Sequence, residues 1–147
     1  MASSNLGIQA QGSLLEESLK SQGVGFKAFW LLNRNKDSVT LLRDFLACMN
    51  DAVVYPVLNL YFGKEEEFVF YRNSHDLHEI IAQRGGQQLT FPNLYDLTAD
   101  KLYTDEIAFE ELHKYLKQGA RTSLERWLNS VRKTLDDVYA PLINAAE

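Results

Sequence analysis

Apolar and polar positions along the 147-residue chain change their rhythm several times, and each change predicts an element. Residues 1–12 are small, polar and without a repeat, which predicts a flexible tail. Ser13-Leu14-Leu15-Glu16 fits a capping box, in which hydroxyl and carboxylate each satisfy a free backbone N–H, so a short helix is expected up to Gly23. Val24 to Asn33 is aromatic and too short for a separate buried helix, which predicts a central strand. Asp37 or Ser38 can cap a second helix, with Leu42, Phe45, Leu46 and Met49 at i, i+3, i+4, i+7. Residues 53–62 are rich in Val, Tyr and Phe and predict a second strand, with Pro56 placing it at an edge or a bulge. Gly63-Lys64 then reads as a turn, and Phe68-Val69-Phe70-Tyr71 as the return strand of a hairpin. Ser74 caps a third helix with Leu77, Ile80 and Ile81 on its buried side; Gly85-Gly86 ends it, and Gln88 to Phe91 makes a short strand.

This order is β-α-β-β-α-β, the ferredoxin-like arrangement of the α+β class, with an antiparallel sheet and two helices on one face. After Asn93 the pattern turns helical. Ile107, Leu112, Tyr115 and Leu116 mark an amphipathic helix ending near Gly119, with Thr98 and Thr104 as candidate caps. Thr122-Ser123-Leu124-Glu125 is a second capping box, opening a longer helix. Its residues Leu124, Leu128, Val131, Leu135, Val138 and Leu142 step by 4, 3, 4, 3, 4, a heptad-like seam beside Trp127 that Pro141 weakens. The expected organisation is a tail over 1–12, a ferredoxin-like core with an N-terminal helix over 13–92, and a C-terminal helical hairpin over 93–147.

Composition narrows the function classes. Hydrophobic residues make up 46% and charged residues 24%, which excludes wholesale disorder and fibrous repeats. Cys48 is the only cysteine, so an internal disulfide and a cysteine zinc cage are excluded, and a reducing, intracellular setting, cytoplasmic or nuclear, is expected. No stretch approaches the ~20 apolar residues of a membrane span, and no basic region precedes an apolar one near Met1, so neither membrane insertion nor a leader is expected. The net charge is −5, and acidic residues outnumber basic ones in each of residues 1–23, 24–92 and 93–147. Phosphate neutralisation by Lys and Arg supplies most nonspecific nucleic-acid affinity, so a protein is the better default partner.

The core segment resembles the RNA-recognition-motif family over residues 24–92. Phe29-Trp30-Leu31-Leu32-Asn33-Arg34 is similar to that family's hexamer, Leu42-Arg43-Asp44-Phe45 to its first-helix pattern, and Lys64 to Tyr71 falls where it carries its octamer. Ser74-His75-Asp76-Leu77 and Ala82 to Leu89 suit its second helix and following turn. The resemblance implies base stacking at positions that fall here on Trp30, Glu66 and Phe68, with Asn33 and Tyr71 beside them. Glu66 has no π-face, and Glu65, Glu66 and Glu67 together repel phosphate. Members with such a degenerate sheet often dock proteins, so the resemblance implies a non-enzymatic interaction module or adaptor, within an RNA-processing or replication complex. Single-stranded RNA binding through Trp30 and Phe68 is the first alternative.

A small hydrolase or metal enzyme is the second. His75 and His78 are i, i+3 on a helix, with His113 as a distant third ligand, but two solvated histidines are the simpler reading. Glu65-Glu66-Glu67 reads as a solvated hairpin tip rather than a cation site, and Cys48 beside Met49 as a small buried hydrophobe. No G-x-S-x-G, P-loop or G-x-G-x-x-G motif occurs, and no cofactor or metal is expected. The seam of Leu124, Trp127, Leu128, Val131, Leu135 and Val138 is expected to pack internally, with self-association as the alternative. Leu135 to Ile143 also looks like a short stretch of dynein heavy-chain tails, which makes an assembly segment the remotest alternative.

Overall fold

Two apolar runs without a helical repeat become neighbours in space. In the computed structural model, which describes residues 2–94 and 96–143, Lys27–Leu32 (β1) and Val53–Asn59 (β2) pair in parallel, from Lys27 opposite Val53 to Leu32 opposite Leu58. Leu89–Phe91 (β3) completes a three-stranded sheet of order β1-β2-β3. The fold is of the mixed α+β class, in two compact units, residues 1–89 and 90–147.

A parallel pair needs a crossover, and Lys36–Cys48 (α2) supplies it. Its apolar stripe buries Val39, Leu42 and Leu46 against the sheet face formed by Ala28, Trp30, Leu32, Val54 and Leu58. Ser38 Oγ donates to the carbonyls of Asn33 and Asn35, tightening the first turn. Val69–Arg72 (α3) and His75–Gln83 (α4) add Phe68, Tyr71, Leu77 and Ile81 to the same core. Burying each such side chain contributes about 1.5–3 kcal/mol.

Two expectations about this region are corrected. In place of the return strand at Phe68–Tyr71 the chain makes a 3-10 turn at Glu65–Glu67 and a helix from Val69, so the antiparallel hairpin does not form. Phe68 and Tyr71 are 1% and 2% exposed while Val69 and Phe70 between them are exposed, which is a three-residue period and not a two-residue one. Core packing thus overrides the strand propensity of four apolar residues. Pro56 lies in the central strand, not at an edge or bulge. Val53 N–H donates to Phe26 O, so β2 turns the nitrogens of alternate residues from Val53 onward toward β1; the Pro56 nitrogen faces away, and that ladder loses nothing.

The turn from α2 into β2 is held from two sides. Ala2–Ser21 (α1) crosses α2 where Gly12 meets Cys48: a Cβ at Gly12 would lie 2.8 Å from the Cys48 carbonyl oxygen. One turn on, the Glu16 carboxylate, 7% exposed, accepts the N–H groups of Asn50, Asp51 and Ala52 at 2.8, 2.8 and 3.1 Å. Lys20 pairs with Asp51 beside it. From the end of α4, the Arg84 guanidinium donates to the carbonyls of Met49 and Leu46 at 2.5 and 3.1 Å. The helix therefore starts at Ala2 rather than after a tail, and Ser13-Glu16 is not a capping box, because both residues are interior to α1.

The second unit is helical: Asp96–Tyr103 (α5), a 3-10 turn at Phe109–Glu111, Leu112–Tyr115 (α6) and Gln118–Ile143 (α7). Leu112, Leu116, Ala120 and Leu124 form its core, with Leu94, Leu102, Ile107, Trp127 and Leu128 packed around them. The expected helix over Ile107–Leu116 is broken into these short pieces, and Leu116 is extended at ψ 141°. Thr122-Glu125 is not a cap either: α7 already runs from Gln118, and Thr122 Oγ1 donates back to the Gln118 carbonyl. Thr98 lies inside α5 and is fully buried rather than capping it. Leu142 of the seam is outside the described side chains.

Glu16→Ala takes the acceptor from three backbone donors, of which the Ala52 N–H is buried, and should cost about 2–4 kcal/mol in urea denaturation, with Glu16→Gln costing less. Leu124→Ala should open a cavity in the second unit and cost about 2–5 kcal/mol.

Candidate protein-interaction surface

β1 and β2 end side by side at Leu32 and Asn59, and the chain leaving each is pinned to the other. After β1, Asn33 Oδ1 accepts the Asn35 N–H at 2.8 Å, and Arg34 reaches Glu67 at 3.1 Å. After β2, Asn59 Oδ1 accepts the Tyr61 N–H, and Glu67 also accepts the Lys64 N–H at 2.7 Å. Gly63, at φ 140°, allows this: a Cβ there would lie 2.2 Å from Glu67 Oε2. Arg72 donates to the Glu66 carbonyl, and Gln88 to the Glu65 carboxylate. Polar side chains thus fix the 59–72 segment, with Phe68 and Tyr71 in the core and Tyr61, Phe62, Val69 and Phe70 facing out. Tyr61, 69% exposed, stands edge-on to Phe62 at 5.3 Å, and Phe62, Val69, Phe70 and Leu31 are exposed as well. Large apolar groups are thus held out on a pinned loop.

The residues expected to form a stacking platform are not brought together on an open sheet. Trp30 donates its Nε1–H to the Ser38 carbonyl at 3.2 Å and lies 5.2 Å from the Phe45 ring, against α2. Phe68 and Tyr71 are core residues, and Asn33 closes a turn. Glu65, Glu66 and Glu67 form the 3-10 turn described above rather than a hairpin tip. His78 packs on Tyr71 at 4.6 Å and lies 6.2 Å from His75, while His113 is on α6 in the other unit. Among the described residues, no group of three or more His, Cys, Asp or Glu is placed to hold a metal ion. Cys48 packs against the core beside Gly12.

The second unit carries a concavity that the sequence did not announce. Pro92, Asn93, Leu94, Ser123, Arg126 and Trp127 line an open cleft of about 450 Å³. Trp127 is turned into it by its Nε1–H, which donates to the Pro92 carbonyl at 2.8 Å, and by Phe109 at 6.2 Å. Of the expected seam, Leu124 and Val138 are buried, and Trp127, Leu128, Val131 and Leu135 half-buried.

Burial pushes the Tyr71 phenol up to about 12 from 10.0, and Arg43 holds the Asp76 carboxyl below its usual range through hydrogen bonds of 2.8–3.3 Å. For Tyr71 the folded state keeps its proton after the unfolded chain has lost it, so its contribution is complete below pH 10 and is lost as pH rises toward about 12. The urea midpoint should therefore fall between pH 9 and pH 11 by more in the parent than in Tyr71→Phe. Equal falls would place the alkaline sensitivity elsewhere, for example in the Lys20–Asp51 pair.

No family model matches the chain, and no solved structure matches it. Among curated proteins it is similar to Protein MobD of Acidithiobacillus ferrooxidans, 34% identical over 137 residues. The matched stretch takes in 93% of this chain and 60% of MobD, so the chain spans less than two-thirds of that relative.

Proposed function

We propose that the chain is a non-enzymatic protein-interaction module, an adaptor that docks a protein partner inside the cell. The observation that carries this reading is the pinned apolar crown: Tyr61, Phe62, Val69 and Phe70 are held out to solvent by Arg34–Glu67 and the Gly63 turn. The acidic balance of the chain supports a protein over a nucleic acid. RNA binding loses its main support, because Trp30 and Phe68 are spent on packing. An RRM-like, ferredoxin-like origin is the finer form of the same proposal; it draws on Phe29–Asn33 and on α2, not on residues 64–71, which are helical or turn. A place in an RNA-processing or replication assembly belongs to that finer form.

The test compares the parent with Tyr61→Ser/Phe70→Ser. Both side chains are exposed, so melting temperature should be unchanged, while a partner retained by the parent should be lost by at least about tenfold. A partner retained equally by both would contradict the crown. Short single-stranded RNA should bind weakly near physiological salt; tight binding that falls on Trp30→Ala would favour the RNA reading.

A further inference from the structure

Ser123, Arg126, Trp127 and Ser130 follow i, i+3, i+4, i+7 spacing, so they share one face of α7. The core of the second unit takes Ala120 and Leu124 from the neighbouring face. The first face lines the open cleft of about 450 Å³, together with Pro92, Leu94 and Asp96. Trp127 stands at the boundary: its Nε1–H donates to the Pro92 carbonyl at 2.8 Å, so it offers the cleft ring surface and no donor. Two opposite charges line the same cleft, and the fold uses neither. Among the described residues the Arg126 guanidinium and the Asp96 carboxylate form no ion pair or hydrogen bond, with each other or with a neighbour. In the same unit Lys101 pairs with Asp105 and Lys114 with Glu111, so charges there find partners where one is in reach. The Ser130 hydroxyl beside Arg126 is also without a partner among the described residues.

We propose that this cleft binds a small zwitterion of dipeptide size with an apolar side chain: its carboxylate meets Arg126, its ammonium meets Asp96, and its apolar body lies on the Trp127 ring and Leu94. The guanidinium presents parallel N–H donors whose spacing matches a carboxylate. The formal charge of the cleft is zero, one cation and one anion, which matches a ligand that carries one of each. A nucleoside phosphate fits less well, because it brings only negative charge to Asp96, in a chain of net charge −5. The volume lies within the ~300–1,000 Å³ of small-molecule sites, and the wall combines a few polar groups with apolar surface, as such sites do. The cleft belongs to the second unit and the crown to the first, so this proposal stands apart from the protein-interaction reading.

The probe is leucyl-alanine, titrated into the full 147-residue chain and followed by the indole N–H resonances of its two tryptophans. Trp127 should shift saturably, with about millimolar affinity for so small a ligand. Trp30, bonded to the Ser38 carbonyl in the first unit, should stay still and serves as the internal control. N-acetyl-leucyl-alanine lacks the ammonium and leucyl-alanine amide lacks the carboxylate, and each should bind about three- to fivefold more weakly. In Arg126→Gln the amide and the free dipeptide should bind alike; in Asp96→Asn the acetylated and the free dipeptide should bind alike. Both side chains are exposed, so neither variant should move the melting temperature appreciably. The absence of a saturable Trp127 shift overturns the proposal, and so does a shift that Trp30 shares. Tighter binding of adenosine monophosphate than of leucyl-alanine overturns it in favour of a nucleotide. A dipeptide capped at both ends that binds the parent as well as the free one overturns it in favour of an apolar stretch of a longer chain.

Discussion

The Glu16 carboxylate, set against three consecutive backbone N–H groups, is the contact on which the first unit depends. A parallel β-α-β unit must reverse direction where the helix ends, and a helix end leaves backbone groups unsatisfied. Here α2 stops at Cys48 and β2 starts at Val53, so few residues make the reversal. Glu16 satisfies the donors of that turn, and Arg84 satisfies the acceptors at Leu46 and Met49. Both side chains come from outside the β-α-β unit, one from α1 and one from the end of α4. The turn thus ties four elements together through charged groups bonded to backbone, the stronger class of hydrogen bond.

What happens at the other end of the strands depends on that anchoring. With β1 and β2 in register, the loops leaving Leu32 and Asn59 emerge together, and Arg34 can reach Glu67. This ion pair is exposed, and such pairs contribute little on their own. Its effect is geometric: with Gly63 and the Lys64 N–H it folds the 59–72 segment so that Phe68 and Tyr71 go inward and Tyr61, Val69 and Phe70 stay out. The exposure of these apolar side chains is a consequence of which residues the core claims first.

Much of the fold was legible where one element explains its own pattern. Leu42 and Leu46 announce α2, Val24 to Asn33 contains β1, and Leu77 and Ile81 mark α4. The misses are non-local or depend on period. Parallel rather than antiparallel pairing is decided by the crossover, which no single segment encodes. Phe68-Val69-Phe70-Tyr71 suits a strand by composition; only the spacing of Phe68 and Tyr71, three apart and both in the core, marks it as helical. Ser13 and Thr122 looked like caps because a local Ser/Thr-x-x-Glu pattern cannot reveal that a helix already began upstream. Trp30 suits a stacking platform by its place in the strand, but its ring packs against Phe45.

Glu16 and Arg84 act on one turn as a unit, although they lie far apart in sequence. A double-mutant cycle on Glu16→Ala and Arg84→Ala, read by chemical denaturation of the whole chain, tests it most directly. If the turn is held jointly, loosening it from one side leaves less to lose from the other. A coupling of about 1 kcal/mol or more is expected, with the double variant less destabilised than the two single losses added together. Strict additivity, within about 0.3–0.5 kcal/mol, would contradict it and make the two contacts independent.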